Sequence, residues 1–271
     1  MLSYDRCSKY ARALPAAAML LLVIGCGHAE YETRLAESKK YYAYLDKIEQ
    51  NLAPKWVLQG NLMDLRVPKQ FVLIPAPVPV KKEDGTFEPI TSDPRQPDYL
   101  PLALPELFGA WEAVFKVTTE GSVEERKGYI YVLSNYWELA SERANDAVEF
   151  ANVLKSILSQ QLDQELKPEN QRIEAHPKVV PAYVQQQSYD VCTFPGKKIK
   201  GANYTFEAYS RTNGSVIGVV LTVLPEGIDS QQKIAERIPM MIESFNFTKT
   251  PPKAGTTVST PGSAATPNTG F

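Results

Sequence analysis

The sequence predicts an α+β domain in which an antiparallel β-sheet is flanked by helices, preceded by an amphipathic N-terminal helix. Apolar and polar residues alternate in several segments between residues 111 and 224, as is typical of half-buried strands. The dipeptide Asn213-Gly214 separates two of these segments and favours a two-residue hairpin. In residues 136–166, apolar residues recur instead at steps of three and four, which is the spacing of one helix face.

Composition divides the 271 residues into four regions. We interpret residues 1–25 as a signal peptide, 26–56 as a tether with the amphipathic helix, 57–247 as the globular domain and 248–271 as a tail. A domain of this length can bury a self-supporting core. The tail consists largely of Pro, Thr, Ser, Gly and Ala, so it has too little apolar surface to order itself and is predicted to be disordered.

The first predicted helix covers residues 30–52 and ends before Pro54. Its apolar residues include Leu35, Leu45 and Ile48, with charged residues between them. We expect this apolar stripe to pack on the following domain. A short coiled coil or a partner-binding helix is the alternative.

The globular region opens with two short predicted strands and a long loop. The strands lie near residues 62–67 and 71–74, and the prolines that follow preclude a central strand. Residues 81–106 contain Asp-Gly, Asp-Pro and further prolines, so they are predicted to form a surface loop. Because long loops in compact domains are often either functional or disordered, this loop is one candidate site for binding a partner.

The second half of the globular region predicts most of the sheet. The segments 111–118 and 128–136 are predicted to form a hairpin around a charged turn, and a helix is predicted over residues 136–166. A final helix is predicted to begin at Asp229. The remaining strands are predicted at residues 179–186, 187–194, 204–212 and 215–224.

The N-terminus indicates export. Three basic residues precede the apolar run PAAAMLLLVIG, whose eleven residues are too few to span a bilayer but suit a signal peptide. The run leads into V-I-G-C, which resembles the bacterial lipoprotein signal, and the resemblance implies that Cys26 is lipidated and becomes the new N-terminus. The alternative is an ordinary cleaved signal in which Cys26 has no such role.

Lipidation of Cys26 would place the protein in the bacterial cell envelope, because two or more acyl chains anchor a protein stably. Gly27 follows the cysteine where Asp would suggest retention at the inner membrane, so we expect the outer membrane and its periplasmic face. Cys7 lies in the removed segment, which leaves Cys192 as the one free thiol. Cys192 lies in an alternating segment and is predicted to be buried and unreactive.

A second resemblance concerns the fold. The segment Ile238 to Phe247 ends in IESFNF and follows the strand SVIGVVLTVL, while LRVPKQFVLI stands near residue 65. This order of elements, over residues 60–247, resembles the PsbP-like domains, which are antiparallel sheets flanked by helices. The resemblance implies a binding or assembly protein that is not an enzyme, and it carries over no functional residues.

The residues show no arrangement typical of catalysis. His28 lies in the predicted tether, and His176 is predicted to be a surface or turn residue. Neither stands at metal-ligand spacing, and no nucleophile motif or phosphate loop is present. We therefore predict no metal, no cofactor and no enzymatic activity. Removal of residues 1–25 leaves a formal charge of −4, which argues against nucleic-acid binding.

The predicted function is thus a membrane-anchored envelope lipoprotein that acts as a binding or scaffold module for an envelope protein. The alternative is a binder of a small molecule, lipid or glycan in a cleft between helix and sheet, and a hydrolase of unfamiliar type is a third hypothesis. Aromatic residues are numerous and could form a binding face or line the core. They are Tyr41, Tyr42, Tyr44, Tyr129, Tyr131, Tyr136, Trp137, Tyr183, Tyr189, Tyr204 and Tyr209.

Overall fold

The protein folds into an N-terminal helix and a compact α+β unit, which begins at Asn51. Within the ranges given next, the computed structural model describes the side chains from Glu30 onward, except that of Gln59. The described residues are 13–78, 82–83, 86, 92–101, 103–119, 121–140, 147–179, 181 and 184–249. The predicted tail, apart from its first two residues, therefore lies outside the described residues.

Helix α1 runs from Ala13 to Asn51 and so begins well before the predicted start at residue 30. Arg34 and Glu30 form an ion pair one turn apart, and Tyr31, Leu35 and Tyr42 are exposed. The part of the chain described by the structure holds no helix that is both long and apolar enough to cross a membrane.

The described residues of the compact unit form ten strands and three further α-helices. The strands are β1 (Trp56–Val57), β2 (Met63–Leu65), β3 (Val72–Leu73), β4 (Leu107–Thr119), β5 (Ser122–Ser134), β6 (Gln171–His176), β7 (Gln187–Ile199), β8 (Ala202–Asn213), β9 (Val216–Pro225) and β10 (Asn246–Phe247). The helices are α2 (Tyr136–Ala140), α3 (Ala147–Leu162) and α4 (Ile234–Glu243). The predicted α+β class is therefore confirmed.

Seven strands make one antiparallel sheet in the order β3-β4-β5-β9-β8-β7-β6, and β1, β2 and β10 make a second, small sheet. The predicted hairpin between β8 and β9 is confirmed, but its two-residue turn is Gly214-Ser215 rather than Asn213-Gly214: Asn213 pairs with Val216, and Gly214 takes a φ of 67° that favours glycine. Another two-residue turn, Lys200-Gly201, joins β7 to β8 with positive φ at both positions.

The core lies on both faces of the large sheet. Helix α3 buries Phe150, Leu154 and Leu158 against one face, where they meet alternate residues of β9 such as Leu221. On the opposite face, the Tyr189 hydroxyl donates to the Ile242 carbonyl of α4 at 3.0 Å. Because side chains alternate across a strand, each long central strand contributes to both layers.

The close approach of β10 to the sheet requires a glycine at position 218. A Cβ there would lie 2.7 Å from Phe247 Cε1 and 2.8 Å from Phe245 Cζ. We expect Gly218→Ala to lower the free energy of unfolding by about 1–3 kcal/mol, because both rings must shift within a packed layer. Urea unfolding measures this loss, and an unchanged midpoint would show that the rings yield freely.

Several predicted boundaries are wrong. The charged residues 122–127 belong to β5 rather than to a hairpin turn, because they pair with residues 114–119 of β4. The described residues between 179 and 186 form no strand, and the preceding polar segment Gln171–His176 forms β6 instead. As the last strand of the sheet, β6 exposes one edge to solvent and so tolerates polar residues.

Candidate ligand-binding cleft

A cleft of about 480 Å³ lies where β3, β4 and β5 meet the Pro-rich loop. We call it the tyrosine cleft. Its sheet side is formed by Glu112, Lys127, Tyr129 and Tyr131 together with Val72–Pro75, and its loop side is formed by Asp93–Tyr99. Its volume falls within the range of small-molecule sites.

Buried polar contacts hold the loop side of the cleft in place. Arg95 is 7% exposed, and its guanidinium donates to both carboxylate oxygens of Asp93 and to the Phe108 carbonyl of β4 at 3.1 Å. Gln96 and Leu104 exchange two hydrogen bonds of 2.7 and 3.0 Å across the loop. The wall is thus built before any ligand arrives, which lowers the entropic cost of binding.

Three tyrosines form a stack along one side of the cleft. The ring centroids of Tyr99 and Tyr129 are 4.7 Å apart, and those of Tyr129 and Tyr131 are 6.1 Å apart. The hydroxyls of Tyr99 and Tyr131 share a hydrogen bond of 2.8 Å. Only one of the two hydroxyls can donate in that bond. The other hydroxyl can therefore still donate a hydrogen bond to a ligand.

The electrostatics of the cleft keep these hydroxyls protonated. Burial, reinforced by the negative charges of Asp98 and Glu112, raises the pKa of Tyr129 to about 12. Burial also raises the pKa of Tyr99 and of Tyr131. At neutral pH the tyrosine hydroxyls are therefore hydrogen-bond donors rather than anions.

Charged side chains of both signs line the cleft. The Lys127 ammonium donates to Glu112 at 2.8 Å, and this bond raises the pKa of Lys127. Asp98 is exposed and makes no hydrogen bond or salt bridge with the described residues. Polar ligand groups could therefore form hydrogen bonds with Asp98. They could also bond to the second carboxylate oxygen of Glu112 and to the remaining N–H groups of the Lys127 ammonium.

A smaller depression of about 130 Å³ adjoins the tyrosine cleft and shares Tyr99, Lys127 and Tyr129 with it. Its other wall includes Lys200, at the β7–β8 turn, and Tyr204 of β8. The two hollows are therefore neighbours that both have the Tyr99–Tyr129 stack in their lining.

The prediction for His176 is wrong, because this residue is 1% exposed and lies at the end of β6. Its Nε2 is 3.1 Å from a carboxylate oxygen of Glu174, and the rings of Tyr189 and Tyr209 pack edge-on against it. Nδ1 is buried and has no partner among the described residues. The imidazole is buried because β6 pairs with β7. The polar sequence of residues 171–176 gave no reason to expect a strand there, or a buried histidine.

A cleft of about 390 Å³ beside α4 includes His176 in its lining. There Arg172 pairs with Glu174 at 2.6 Å and with Glu207 at 2.8 Å, so the ionic groups largely satisfy one another. Among the described residues, no group of acidic, His or Cys side chains is arranged to hold a metal ion. Neither cleft presents a Ser or Cys nucleophile among its described lining residues.

The predicted residues are distributed over several places. Tyr129, Tyr131 and Tyr204 meet at the two hollows, whereas Tyr136 and Tyr189 hydrogen-bond to main-chain carbonyls elsewhere. Tyr183 lies outside the described residues. Sequence reasoning missed Tyr99, because a Pro-rich loop has no periodicity that would indicate where one side chain points.

The structure describes the side chain of Cys192 but not that of Cys26. Cys192 is 4% exposed in β7, as predicted, and burial raises the pKa of its thiol. The backbone of Cys26 belongs to α1, but its side chain is not described. Lipidation of Cys26 therefore stays a prediction.

Comparisons with known proteins assign the chain to no family. No family model matches the sequence, and no curated protein matches it. A crystal structure of a protein from Bacteroides thetaiotaomicron, solved at 1.50 Å, matches with 10% identity and a TM-score of 0.31. The match covers 72% of this chain and 48% of the Bacteroides chain, so this protein spans about half the length of that one.

Proposed function

We propose that the protein is a lipid-anchored bacterial envelope protein whose α+β domain is a non-enzymatic binding module, with the tyrosine cleft as its binding site. The observation that carries this proposal is the preformed cleft, in which stacked tyrosines stand beside Asp98, a carboxylate with no partner among the described residues. The Pro-rich loop, a candidate site for binding a partner, supplies one wall of it. The PsbP-like resemblance, with an amphipathic N-terminal helix, belongs to the same proposal.

The anchoring half of the proposal rests on Cys26. We expect the wild-type protein to start at Cys26, carry added acyl mass and sediment with membranes, whereas Cys26→Ala is released to the soluble fraction. Intact-protein mass and membrane fractionation test both points. Cys192→Ala is the matched control and should remain membrane-bound. An unlipidated wild-type protein in the soluble fraction would contradict this half.

The binding half is tested with the full-length protein in detergent. A ligand that binds only the folded state raises Tm by mass action, so one of the protein, glycan or lipid fractions of the host envelope should raise it. Tyr129→Ala should abolish the rise, while Tyr42→Ala, an exposed tyrosine of α1, should preserve it. A rise that Tyr129→Ala leaves intact would show that the ligand binds elsewhere.

A further inference from the structure

We propose that the tyrosine cleft and its adjoining depression are two subsites for a neutral oligosaccharide of at least two sugar units. This inference rests on the proposed binding function and names the ligand class of that site. Tyr99, Lys127 and Tyr129 line both hollows, so a ligand that fills one can extend into the other past the same stack. An elongated ligand built of repeated small units fits that arrangement.

The open polar groups favour hydroxyl-rich, uncharged units. Asp98 in the cleft, and Glu125 and Lys200 in the depression, make no hydrogen bond or salt bridge with the described residues. The charged lining of the cleft is negative overall, with Asp93, Asp98 and Glu112 against Arg95 and Lys127, whereas that of the depression is positive overall, with Arg126, Lys127 and Lys200 against Glu125. Neither an anionic nor a cationic ligand would therefore be favoured by both hollows. A sugar hydroxyl donates to a carboxylate and accepts from an ammonium, and therefore suits both kinds of group.

The aromatic groups provide the second element of sugar recognition. One face of a pyranose ring presents mainly C–H groups, which pack on the faces and edges of tyrosine rings. The Tyr129 hydroxyl has no partner among the described residues, and at neutral pH it remains a donor for a sugar oxygen. Tyr99 and Tyr129 thus supply apolar contact and directed hydrogen bonds together.

Two other ligand classes fit the site less well. A peptide that extends the sheet needs a run of free main-chain groups, but β3, the edge strand beside the cleft, has two residues and is soon followed by Pro75. An acyl chain needs an apolar lining, but the cleft is lined by five charged side chains: Asp93, Arg95, Asp98, Glu112 and Lys127.

The test is a length series on the full-length protein in detergent. The probes are linear neutral oligomers of one to four units of glucose, mannose, galactose, xylose or N-acetylglucosamine, with affinity measured by calorimetry. At least one series should bind, and its affinity should rise about tenfold or more from one unit to two, as the second hollow fills. An affinity independent of length would overturn the two-subsite arrangement.

Two variants assign the subsites. Asp98→Asn should weaken binding of the monosaccharide and of the longer oligomers by about tenfold, since one charge-assisted hydrogen bond is weakened. Lys200→Ala should weaken only the longer oligomers. Glu169→Gln and Lys167→Ala, exposed residues near the β6 end of the sheet, are the matched controls and should change nothing. Saccharide binding that survives Asp98→Asn unchanged would overturn the assignment.

The same variants separate the two levels of the proposal. Linear peptides, and vesicles of phosphatidylethanolamine with phosphatidylglycerol, are tested in parallel. If no saccharide binds, but a peptide or a vesicle binds in an Asp98-dependent or Tyr129-dependent manner, the saccharide inference falls and the binding function stands. If neither the envelope fractions nor any probe shows binding that depends on these residues, both fall.

Discussion

Replacing Asn135 with alanine is expected to lower the free energy of unfolding by about 3 kcal/mol. Asn135 is fully buried between β5 and α2, and its side chain reaches the start of β9. Its Nδ2 donates to the Ser215 carbonyl at 3.0 Å, and its Oδ1 accepts from the Ile217 amide at 3.0 Å. Alanine would leave both main-chain groups unsatisfied, at about 1–3 kcal/mol each.

Urea unfolding of the two proteins measures this difference. Asn246→Ala is the matched control, because Asn246 is exposed and its amide makes hydrogen bonds of 3.2 and 3.4 Å that water can replace. We expect the control to cost less than about 1 kcal/mol. Equal losses for the two variants would show that water enters the Asn135 site and satisfies the exposed groups.

Acidification from pH 7.5 to pH 5 is expected to destabilise the protein through His176, by up to about 1.4 kcal/mol per pH unit. Burial lowers the pKa of His176 below its usual 6.5, and the hydrogen bond to Glu174 only partly offsets this. A proton added to Nδ1 would be a buried donor with no partner among the described residues. The unfolded chain therefore binds the proton more readily, and stability falls as pH drops below 6.5.

The carboxylates act in a lower pH window. Glu174 and Asp93 are partly desolvated, which raises the pKa, but ion pairs with Arg172 and Arg95 outweigh this and lower the pKa of each carboxyl below its usual value. Their stabilisation is present at neutral pH and is lost only as pH falls below about 4.5. The interval from pH 7.5 to 5 thus separates the titration of His176 from that of these two carboxyls.

The comparison of wild type with His176→Gln tests this assignment. Gln can still donate to Glu174 but does not titrate in this range. Free energies of unfolding measured at half-unit steps of pH should fall for the wild type and remain nearly level for the variant. Parallel slopes would assign the titration to another group.

Local patterns predicted those parts of the fold that depend on neighbours in sequence. The hairpin between β8 and β9 formed at the Asn213-Gly214 signal, with its turn one residue later at Gly214-Ser215. The geometry of such a turn depends on only four consecutive residues. Leu154 and Leu158 face the core because a helix repeats every 3.6 residues. Cys192 is buried because its strand alternates.

Local patterns failed where long-range pairing decided the outcome. Residues 171–176 contain one strongly apolar side chain, Ile173, and they become a strand only because β7 pairs with them. The same pairing, together with Tyr189 and Tyr209, buries His176. A predicted surface histidine thereby became a buried titrating group.

The candidate site shows the same division. Tyr129 and Tyr131 are among the many tyrosines that the sequence offers as a binding face, and they share a side of β5 because residues two apart on a strand point the same way. Tyr99 joins them only because Arg95 and Gln96 fix the Pro-rich loop against β4 and against itself. No periodicity in that loop indicates these contacts.

The sequence by itself determined the fold class, the principal hairpins, the core face of α3 and the burial of Cys192, because each follows from short-range periodicity or turn geometry. It also carries the whole of the expectation for Cys26. Only the tertiary structure decided which tyrosines form the cleft, that residues 171–176 form the edge strand β6, and that His176 is buried. Those features depend on contacts between residues far apart in the chain. Such contacts cannot be recognised from the periodicity or turn signals of neighbouring residues.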